Sequence, residues 1–355
     1  MLETRLRETI GRIAPLDSLV QDEARARQRA LTKPPGSLGR LEALSIQIAG
    51  ITGQALPRIE HKVIVTMAGD HGVAAEGVSA FPQEVTAQMV SNFLRGGAAV
   101  NVLARHTGAR VVVVDMGVAA DLAPHANLVD HKIAPGTASI TRGPAMTREQ
   151  AIQALTAGIA IVEDELAKGL DIVGTGDMGI GNTTPSATIA VALTGRPVAE
   201  IVGRGTGVDD AGLARKIQAV ATAMAVNRPD PRDPLDVLSK VGGFEIGGLA
   251  GVMLGAAAHR RPVVLDGFIC TAAAMIAVGL APQVAPYLIA AHCSQERGHR
   301  IMLDWLQLEP FLDLDMRLGE GTGAALGIFL AEAACKILAE MATFGEAGVT
   351  DRESA

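Results

Sequence analysis

The stretch DIVGTGDMGIGNTTPSA, residues 171–187, indicates how the chain folds. It passes from a β-branched run through glycines into small residues that can begin a helix. The same succession recurs at VIVTM before AGDHGV, at VVVVD before MGVAA, at AEIV before GRGTGVDD and at PVVLD before GFICTAAAMIAV. Strands that are apolar throughout and alternate with helices are buried on both faces. The sequence therefore predicts an α/β fold, a parallel sheet with helices on both faces.

The two ends of the chain have a different pattern. Residues 1–60 carry Arg and Glu at helical spacing, and residues 322–341 form a long pattern of Ala and Leu. We therefore expect a small helical region over residues 1–60, helix again near the C-terminus, and an α/β domain over residues 61–324. In parallel sheets ligands bind outside the carboxyl ends of the strands, where the glycine-rich turns of this domain would gather.

Composition restricts the class of protein. The 355 residues carry a net charge of −7 without a long run of like charge, which favours a small-molecule substrate over nucleic acid or a membrane surface. Cys270, Cys293 and Cys335 are too widely spaced to indicate a disulfide framework or a zinc knuckle. The N-terminal MLETRLRETIGRI lacks the apolar segment of a signal peptide, so we expect a cytoplasmic protein.

One uncharged stretch, residues 267–295, is long enough to be tested as a membrane span. Pro282 and Pro286 divide it into two pieces, each too short to cross ~30 Å of hydrocarbon. We therefore expect a buried helix, a loop and a strand there, and no membrane span.

Two glycine-rich loops have the chemistry of a phosphate site. In the first, Gly179 and Gly181 permit close approach of the backbone to a ligand, and Asn182 and Thr183 supply donors at the start of a helix. The alternative is a glycine-rich turn with a threonine cap. The second loop, GRGTGVDD, offers a similar set of residues, namely Gly203, Gly205 and Thr206, and Lys216 follows within two helical turns. Lys216 could reach a shared phosphate, or it could be a solvated surface lysine.

A competing motif overlaps the first loop. Gly174, Gly176 and Gly179 satisfy G-x-G-x-x-G, and Glu200 follows at roughly the spacing of a dinucleotide-binding fingerprint. The match is weak, because the helix begins later than the fingerprint requires. A nicotinamide-dinucleotide oxidoreductase stays open as an alternative, as does a non-catalytic phosphosugar-binding protein.

Two further segments carry polar residues. Asp70 and His71 in AGDHGV suggest either a metal site or a hydrogen-bonded pair in a loop, and the pair is favoured because no second cluster completes a ligand set. In GVSAFPQEVTAQMV, Ser79, Phe81 and Gln88 could line a site for a flat heteroaromatic ring. The alternative is that Phe81 belongs to the core.

The segment MRLGEGTGAALG, residues 316–327, places the carboxylate of Glu320 between glycines. It could be an acidic cap of the helix that follows, or a catalytic base held against a ligand. Arg317 is a candidate for orienting the substrate or this carboxylate.

Several of these motifs together resemble one family. KPPGSLGRLE, AGDHGVAAEGVSAFPQEVTAQMV, GTGDMGIGNTTPSA, GRGTGVDD, GGFEIGGLAG, RPVVLDGFICTAAA, SQERGH and LGEGTGAAL, in this order, are similar to the motifs of nicotinate-nucleotide:dimethylbenzimidazole phosphoribosyltransferases, the CobT family. The resemblance implies transfer of ribose phosphate from nicotinate mononucleotide to 5,6-dimethylbenzimidazole, giving α-ribazole 5′-phosphate and nicotinate for the cobalamin lower ligand. It also implies a Rossmann-like sheet, a small domain formed by residues 1–60 and 325–355, and a homodimer.

The resemblance also assigns roles to residues. It implies that Glu320 is the general base and that Lys216 holds the phosphate with the loops Gly179–Thr183 and Gly203–Gly207. The base pocket is expected to contain Ser79, Phe81, Gln88, Met178 and Leu318. Family members often carry Glu where Asp177 stands, so a secondary catalytic role of this shorter acid stays open. No cofactor or metal is expected, and the preferred acceptor stays open among benzimidazoles, purines and phenolics.

Overall fold

A six-stranded parallel sheet forms the centre of the protein, whose computed structural model describes residues 2–350. Its strands are β1 Lys62–Gly69, β2 Arg110–Gly117, β3 Leu128–Asp130, β4 Ile172–Met178, β5 Val263–Leu265 and β6 Leu288–Ala290. They lie in the order β3-β2-β1-β4-β5-β6, and every neighbouring pair is parallel. The predicted α/β parallel sheet is confirmed, and its order is that of a Rossmann-type sheet.

Helices cover the two faces of this sheet, so the central strands are buried on both sides. The α-helices are α1 Leu2–Gly11, α2 Ser18–Ala30, α3 Arg40–Thr52, α4 Val85–Leu94, α5 Ala99–Thr107, α6 Arg148–Ala167, α7 Thr183–Thr194, α8 Val198–Ile201, α9 Asp210–Asn227, α10 Pro234–Val241, α11 Phe244–Ala258, α12 Phe268–Leu280, α13 His299–Leu306, α14 Thr322–Glu340 and α15 Phe344–Ala347. Short 3₁₀ helices occur at Gly72–Glu76 and Pro282–Tyr287.

The direction of the strand order reverses between β1 and β4. After β1 the chain builds β2 and β3 on one side, and it then returns to build β4, β5 and β6 on the other. Such a reversal leaves a crevice outside the carboxyl ends of the two central strands, where ligands of this fold bind. The segments after Gly69 and after Met178 border that crevice.

Two sequence predictions are wrong in detail. AEIV was expected to be a strand, but Val198–Ile201 is the single-turn helix α8. Strand β4 was expected to end before the glycines, yet Gly174 and Gly176 lie within it and pair with β1. Because these glycines are in a strand and not in a turn, the segment does not have the geometry of a dinucleotide fingerprint.

The uncharged stretch at residues 267–295 folds as expected. It forms helix α12, the 3₁₀ helix Pro282–Tyr287 and strand β6. Among the described residues one helix, α14, is long and apolar enough to cross a membrane by length and composition alone. It packs on β4 and β5, and 56% of its most apolar window is buried, as in a core helix.

The chain ends meet beside the sheet. Helices α2 and α3 pack on α14, and Arg27 Nε donates to the carbonyl of Leu338. Helix α1 instead packs on α6 and α11. The proposed division into residues 1–60 with 325–355 and residues 61–324 stays a prediction.

Candidate active site

Glu320 lies in a loop at the crevice. Contacts with both central strands hold this loop in place. Its backbone is left-handed, with φ 67°, and the flanking Gly319 and Gly321 have φ values of 83° and 103°. The Glu320 carbonyl accepts a hydrogen bond from Thr66 Oγ1 of β1, at 2.9 Å. The same carbonyl lies over Gly176 of β4, where a Cβ atom would overlap it. The loop is therefore fastened to β1 and to β4.

The carboxylate of Glu320 is buried, and within residues 2–350 its Oε2 atom has no hydrogen-bond partner. Burial raises the pKa of Glu320, the charge of Asp266 adds to the rise, and the backbone N–H of Val100 opposes it. Burial and the Asp266 charge therefore outweigh the Val100 hydrogen bond. A buried carboxylate oxygen without a donor is suited to accept a proton from a ligand.

The helix-cap interpretation of Glu320 is wrong. Helix α14 begins after Gly321, which makes no side-chain cap. Its first amides are satisfied by Asp266, at the end of β5, whose Oδ1 accepts from Gly323 N at 2.6 Å and whose Oδ2 accepts from Gly321 N at 3.0 Å. The acid that caps the helix comes from another strand, which leaves Glu320 free for chemistry.

Asp177 is buried at the end of β4 and faces Asp266. Asn182 Nδ2 donates to Asp177 Oδ2 at 2.9 Å, so the first glycine loop is tied to this carboxyl. Burial raises the pKa of Asp177 to about 8, and the charge of Asp266 adds to the rise. Ligand atoms of Asp177, Asp266 and Cys270 lie within 4.8 Å of one another, but both carboxyls are already hydrogen-bonded. We therefore do not assign a metal to this cluster.

Lys216 is buried beneath the two glycine loops, so the surface-lysine alternative is wrong. Only 1% of the residue is exposed, and Nζ donates to Thr183 Oγ1 at 2.7 Å. Among the described residues no carboxylate forms an ion pair with it. Burial lowers the pKa of Lys216 to about 8, and the charge of Glu296 opposes this. A buried cation of this kind can be stabilised by an anionic ligand.

Glycines form the wall around this lysine. A Cβ atom at Gly205, where φ is 54°, would lie 2.5 Å from Lys216 Nζ and 2.9 Å from Thr183 Oγ1. A Cβ atom at Gly179 would overlap the carbonyl of Gly69, and Gly181 has φ 90°. The absence of side chains therefore lets the backbone of both loops approach the lysine and the crevice.

The second glycine loop connects the predicted base-binding segment with the Glu320 loop. Ser79 Oγ lies 3.2 Å from Thr206 Oγ1, which also accepts from Ala80 N at 3.0 Å. Arg317 is exposed, and its Nη1 donates to the carbonyl of Gly205 at 3.2 Å. Arg317 thus contacts the loop and not the carboxylate of Glu320. A cavity of about 320 Å³ beside this loop is lined by Gly203, Gly205, Glu296 and Arg317, among others.

The remaining predicted base-binding residues are Phe81, Gln88, Met178 and Leu318. Phe81 is 53% exposed, so the alternative that places it in the core is wrong. Gln88 is exposed on α4, a helix tied to the first glycine loop by the Ile180 N–H, which donates to Thr86 Oγ1. Met178 is half-buried at the end of β4, and Leu318 is 58% exposed. The structure does not by itself assign these four side chains to one pocket.

The favoured hydrogen-bonded loop pair of Asp70 and His71 is wrong, because His71 pairs with a residue of helix α11. His71 Nε2 lies 2.8 Å from Glu245 Oε1 of α11, and both side chains are buried. Burial alone would lower the pKa of His71, but the Glu245 carboxylate outweighs it and the pKa is raised. Asp70 instead accepts from Ala119 N. The pair thus braces the turn after β1.

Sequence reasoning did not single out Asp266 or Glu296. Glu296 is buried under Gly203, and its Oε2 has no hydrogen-bond partner. It lies in SQERGH, whose His299 accepts from Ser294 N at 2.7 Å through Nδ1 and therefore donates to Thr271 through Nε2. Asp266 could have been found as an acid directly after a buried strand. Glu296 could have been found as an acid within a motif that resembles those of the family.

The fold and the site together define an α/β enzyme that binds a small phosphorylated molecule beside a buried carboxylate. A family model described as Phosphoribosyltransferase matches residues 13–349. The nicotinate-nucleotide–dimethylbenzimidazole phosphoribosyltransferase of Roseiflexus sp. (strain RS-1) is 65% identical over 347 residues, covering 98% of each chain. The protein of the same name from Desulforudis audaxviator (strain MP104C) is 60% identical over 349 residues, covering 98% of this chain and 99% of the relative.

A solved structure agrees with these relatives. The crystal structure of CobT from Thermus thermophilus superposes with a TM-score of 0.90 at 49% identity, covering 93% of this chain and 99% of the other. The chain belongs to the nicotinate-nucleotide–dimethylbenzimidazole phosphoribosyltransferase family.

Proposed function

We propose that this protein transfers the phosphoribosyl group of nicotinate mononucleotide to 5,6-dimethylbenzimidazole, giving α-ribazole 5′-phosphate and nicotinate for the cobalamin lower ligand. The names of its relatives support this substrate pair. The observation that carries the proposal is the unpartnered, buried oxygen of Glu320 at the carboxyl ends of β1 and β4.

The chemistry needs little from the protein beyond positioning and one base. In nicotinate mononucleotide the glycosidic nitrogen is a pyridinium, so when the C1′–N bond breaks its electron pair goes to this cationic nitrogen and nicotinate leaves with a neutral ring nitrogen. One benzimidazole nitrogen attacks C1′ from the opposite face, and Glu320 takes the proton of the other nitrogen. Attack from the opposite face inverts the anomeric carbon from β to α.

Lys216 and the glycine loops are proposed to hold the 5′-phosphate. Lys216 is buried, carries no ion pair among the described residues and donates to Thr183 at the start of α7. A phosphate there would supply the missing negative charge and accept from the amides of the Gly179–Thr183 loop. Gly203, Gly205, Thr206 and Asn182 complete the proposed phosphate and ribose site.

The acceptor ring is proposed to lie between Glu320 and the segment that carries Ser79, Phe81 and Gln88, with Met178 and Leu318 completing the lining. The Ser79–Thr206 contact supports this, because it joins that segment to the proposed phosphate loop. Arg317 is proposed to order the loop through Gly205. Asp177 is assigned no proton-transfer step.

A homodimer in the cytoplasm is part of the proposal. Phe81 and Leu318 are large apolar side chains that are exposed close in sequence to Ala80 and Arg317, which contact the second glycine loop, and a partner subunit could cover them. The three cysteines are free thiols, which suits a reducing compartment. Light scattering of the purified protein tests the dimer.

The experiment that tests the reaction incubates the protein with nicotinate mononucleotide and 5,6-dimethylbenzimidazole. Mass spectrometry should detect the ribotide and nicotinate in equal amounts, and NMR of the anomeric proton should show the α configuration. Nucleotide binding without nicotinate release would instead favour a phosphosugar-binding protein. A panel of benzimidazoles, purines and phenolics then determines acceptor preference.

A further inference from the structure

Asp266 connects the end of β5 to the loop that carries Glu320. Its side chain is buried, and its Oδ1 accepts from Gly323 N at 2.6 Å and Ala324 N at 3.2 Å. Its Oδ2 accepts from Gly321 N at 3.0 Å. One carboxylate therefore satisfies the backbone donors of the residue next to Glu320 and of the first turn of α14.

Apart from the Asp266 contacts, few hydrogen bonds hold this loop among the described residues. Gly319, Glu320 and Gly321 are three successive residues with positive φ, a conformation unfavourable for Glu320 because it has a Cβ atom. Among the described residues, the other hydrogen bonds of the 319–321 backbone are Thr66 Oγ1 to the Glu320 carbonyl, Thr322 N and Oγ1 to the Gly319 carbonyl, and Ala325 N to the Gly321 carbonyl. The direction of the Glu320 side chain thus depends on a carboxylate that does not touch the proposed substrate site.

We propose that Asp266 is a positioning residue for Glu320, which fixes the left-handed loop that carries this carboxylate and adds a negative charge to its surroundings. The inference rests on the proposed role of Glu320 as general base. It assigns to Asp266 two effects on the transfer of a proton to Glu320, a geometric effect and an electrostatic one.

The groups around Asp266 support its charged state. Asp177 and Cys270 face it from β4 and α12, His292 Nε2 lies 3.8 Å from Oδ1, and Glu320 lies across the loop. Burial raises the pKa of Asp266, while His292 and the three backbone N–H groups oppose that rise. Those donors favour the carboxylate form of Asp266, and its charge in turn contributes to the rise in the pKa of Asp177 to about 8.

The test is Asp266→Asn, read by kcat, KM and the pH profile. The amide keeps the shape of the side chain but presents an NH₂ group to one of the backbone donors, and it removes the charge. We expect kcat to fall about 100-fold, the scale of a misplaced catalytic group, with a small change in KM for nicotinate mononucleotide. The acid limb of kcat should move to lower pH, because Glu320 loses the charge that raises its pKa.

Thr322→Val is the matched control. It removes the side-chain hydrogen bond to the Gly319 carbonyl in the same loop, keeps the backbone hydrogen bond from residue 322 to that carbonyl, and changes no charge. We expect a smaller loss of kcat and an unchanged acid limb. If the acid limb of kcat lies at the same pH in Asp266→Asn and in the wild type, the proposal is overturned, because a purely structural contact predicts that result.

Folding and function are separated by two further measurements. Thermal unfolding is recorded for each variant, and Asp266→Ser replaces Asp266→Asn if the latter is not folded. Failure of both to fold overturns the proposal, since Asp266 would then be a residue required for folding. An inactive wild type with folded structure would instead refute the proposed function, which distinguishes the two failures.

Discussion

The backbone carbonyl of Glu320 rests on Gly176, with no room for a Cβ atom between them. The glycine inside β4 therefore sets how closely the carboxylate loop approaches the sheet. We expect Gly176→Ala to displace the loop, lower kcat about 100-fold and destabilise the fold by ~1–3 kcal/mol, as overpacking does. Kinetics with thermal unfolding check this. Gly143→Ala, at an open position, is the control and should match the wild type.

Glu320→Gln tests the general base directly. The amide keeps the size of the side chain but cannot take a proton, so kcat should fall about 100-fold or more. KM for nicotinate mononucleotide should change little, because the proposed phosphate site consists of other residues. Turnover close to that of the wild type would remove Glu320 from this role.

The pH profile gives a second test of the same group. The pKa of Glu320 is raised above its ordinary 4.5, chiefly by burial. A base works only when deprotonated, so activity should fall as the pH drops through that raised pKa, earlier than for an exposed glutamate. The residual activity of Glu320→Gln should lack this limb.

Lys216→Met tests the phosphate site. Loss of the buried cation should raise KM for nicotinate mononucleotide about 30-fold, equivalent to ~2 kcal/mol for a truncated charge pair. In the wild type, kcat/KM should fall as the pH rises through about 8, because Lys216 loses its proton there. Nicotinate riboside, which lacks the phosphate, is the control substrate. An equal loss with both substrates would contradict the assignment.

The fold was largely predictable because buried parallel strands are continuous apolar runs. The errors have a physical origin in burial. Ile201 and Val202 are buried, so AEIV has the composition of a strand although Val198–Ile201 is a helical turn. Gly174 and Gly176 have low strand propensity, yet they lie in β4 because α14 and its loop need the space.

The site was predictable where one segment carries the chemistry. Glu320, Lys216 and the two glycine loops were found from local patterns, although their mutual contacts were not. Asp266 was missed because its partner Gly321 is 55 residues away, and no local pattern reports which helix a strand end will cap. The burial of Lys216 was also hidden, since the preceding residue of helix α9, Arg215, is charged and exposed.

Gly205→Ala and Gly207→Ala form a matched pair for the phosphate loop. Both positions have positive φ, 54° and 98°, so each substitution strains the backbone, and the strain is larger at Gly207, whose φ lies beyond the left-handed helical region. At Gly205 the new methyl group would lie 2.5 Å from Lys216 Nζ, whereas at Gly207 it meets no atom within 4 Å. The flexible lysine can yield, so we expect little added destabilisation but about a tenfold higher KM for nicotinate mononucleotide in Gly205→Ala than in Gly207→Ala. Steady-state kinetics and thermal unfolding of both variants measure this, and equal KM values would show that Lys216 does not contact the phosphate from beneath Gly205.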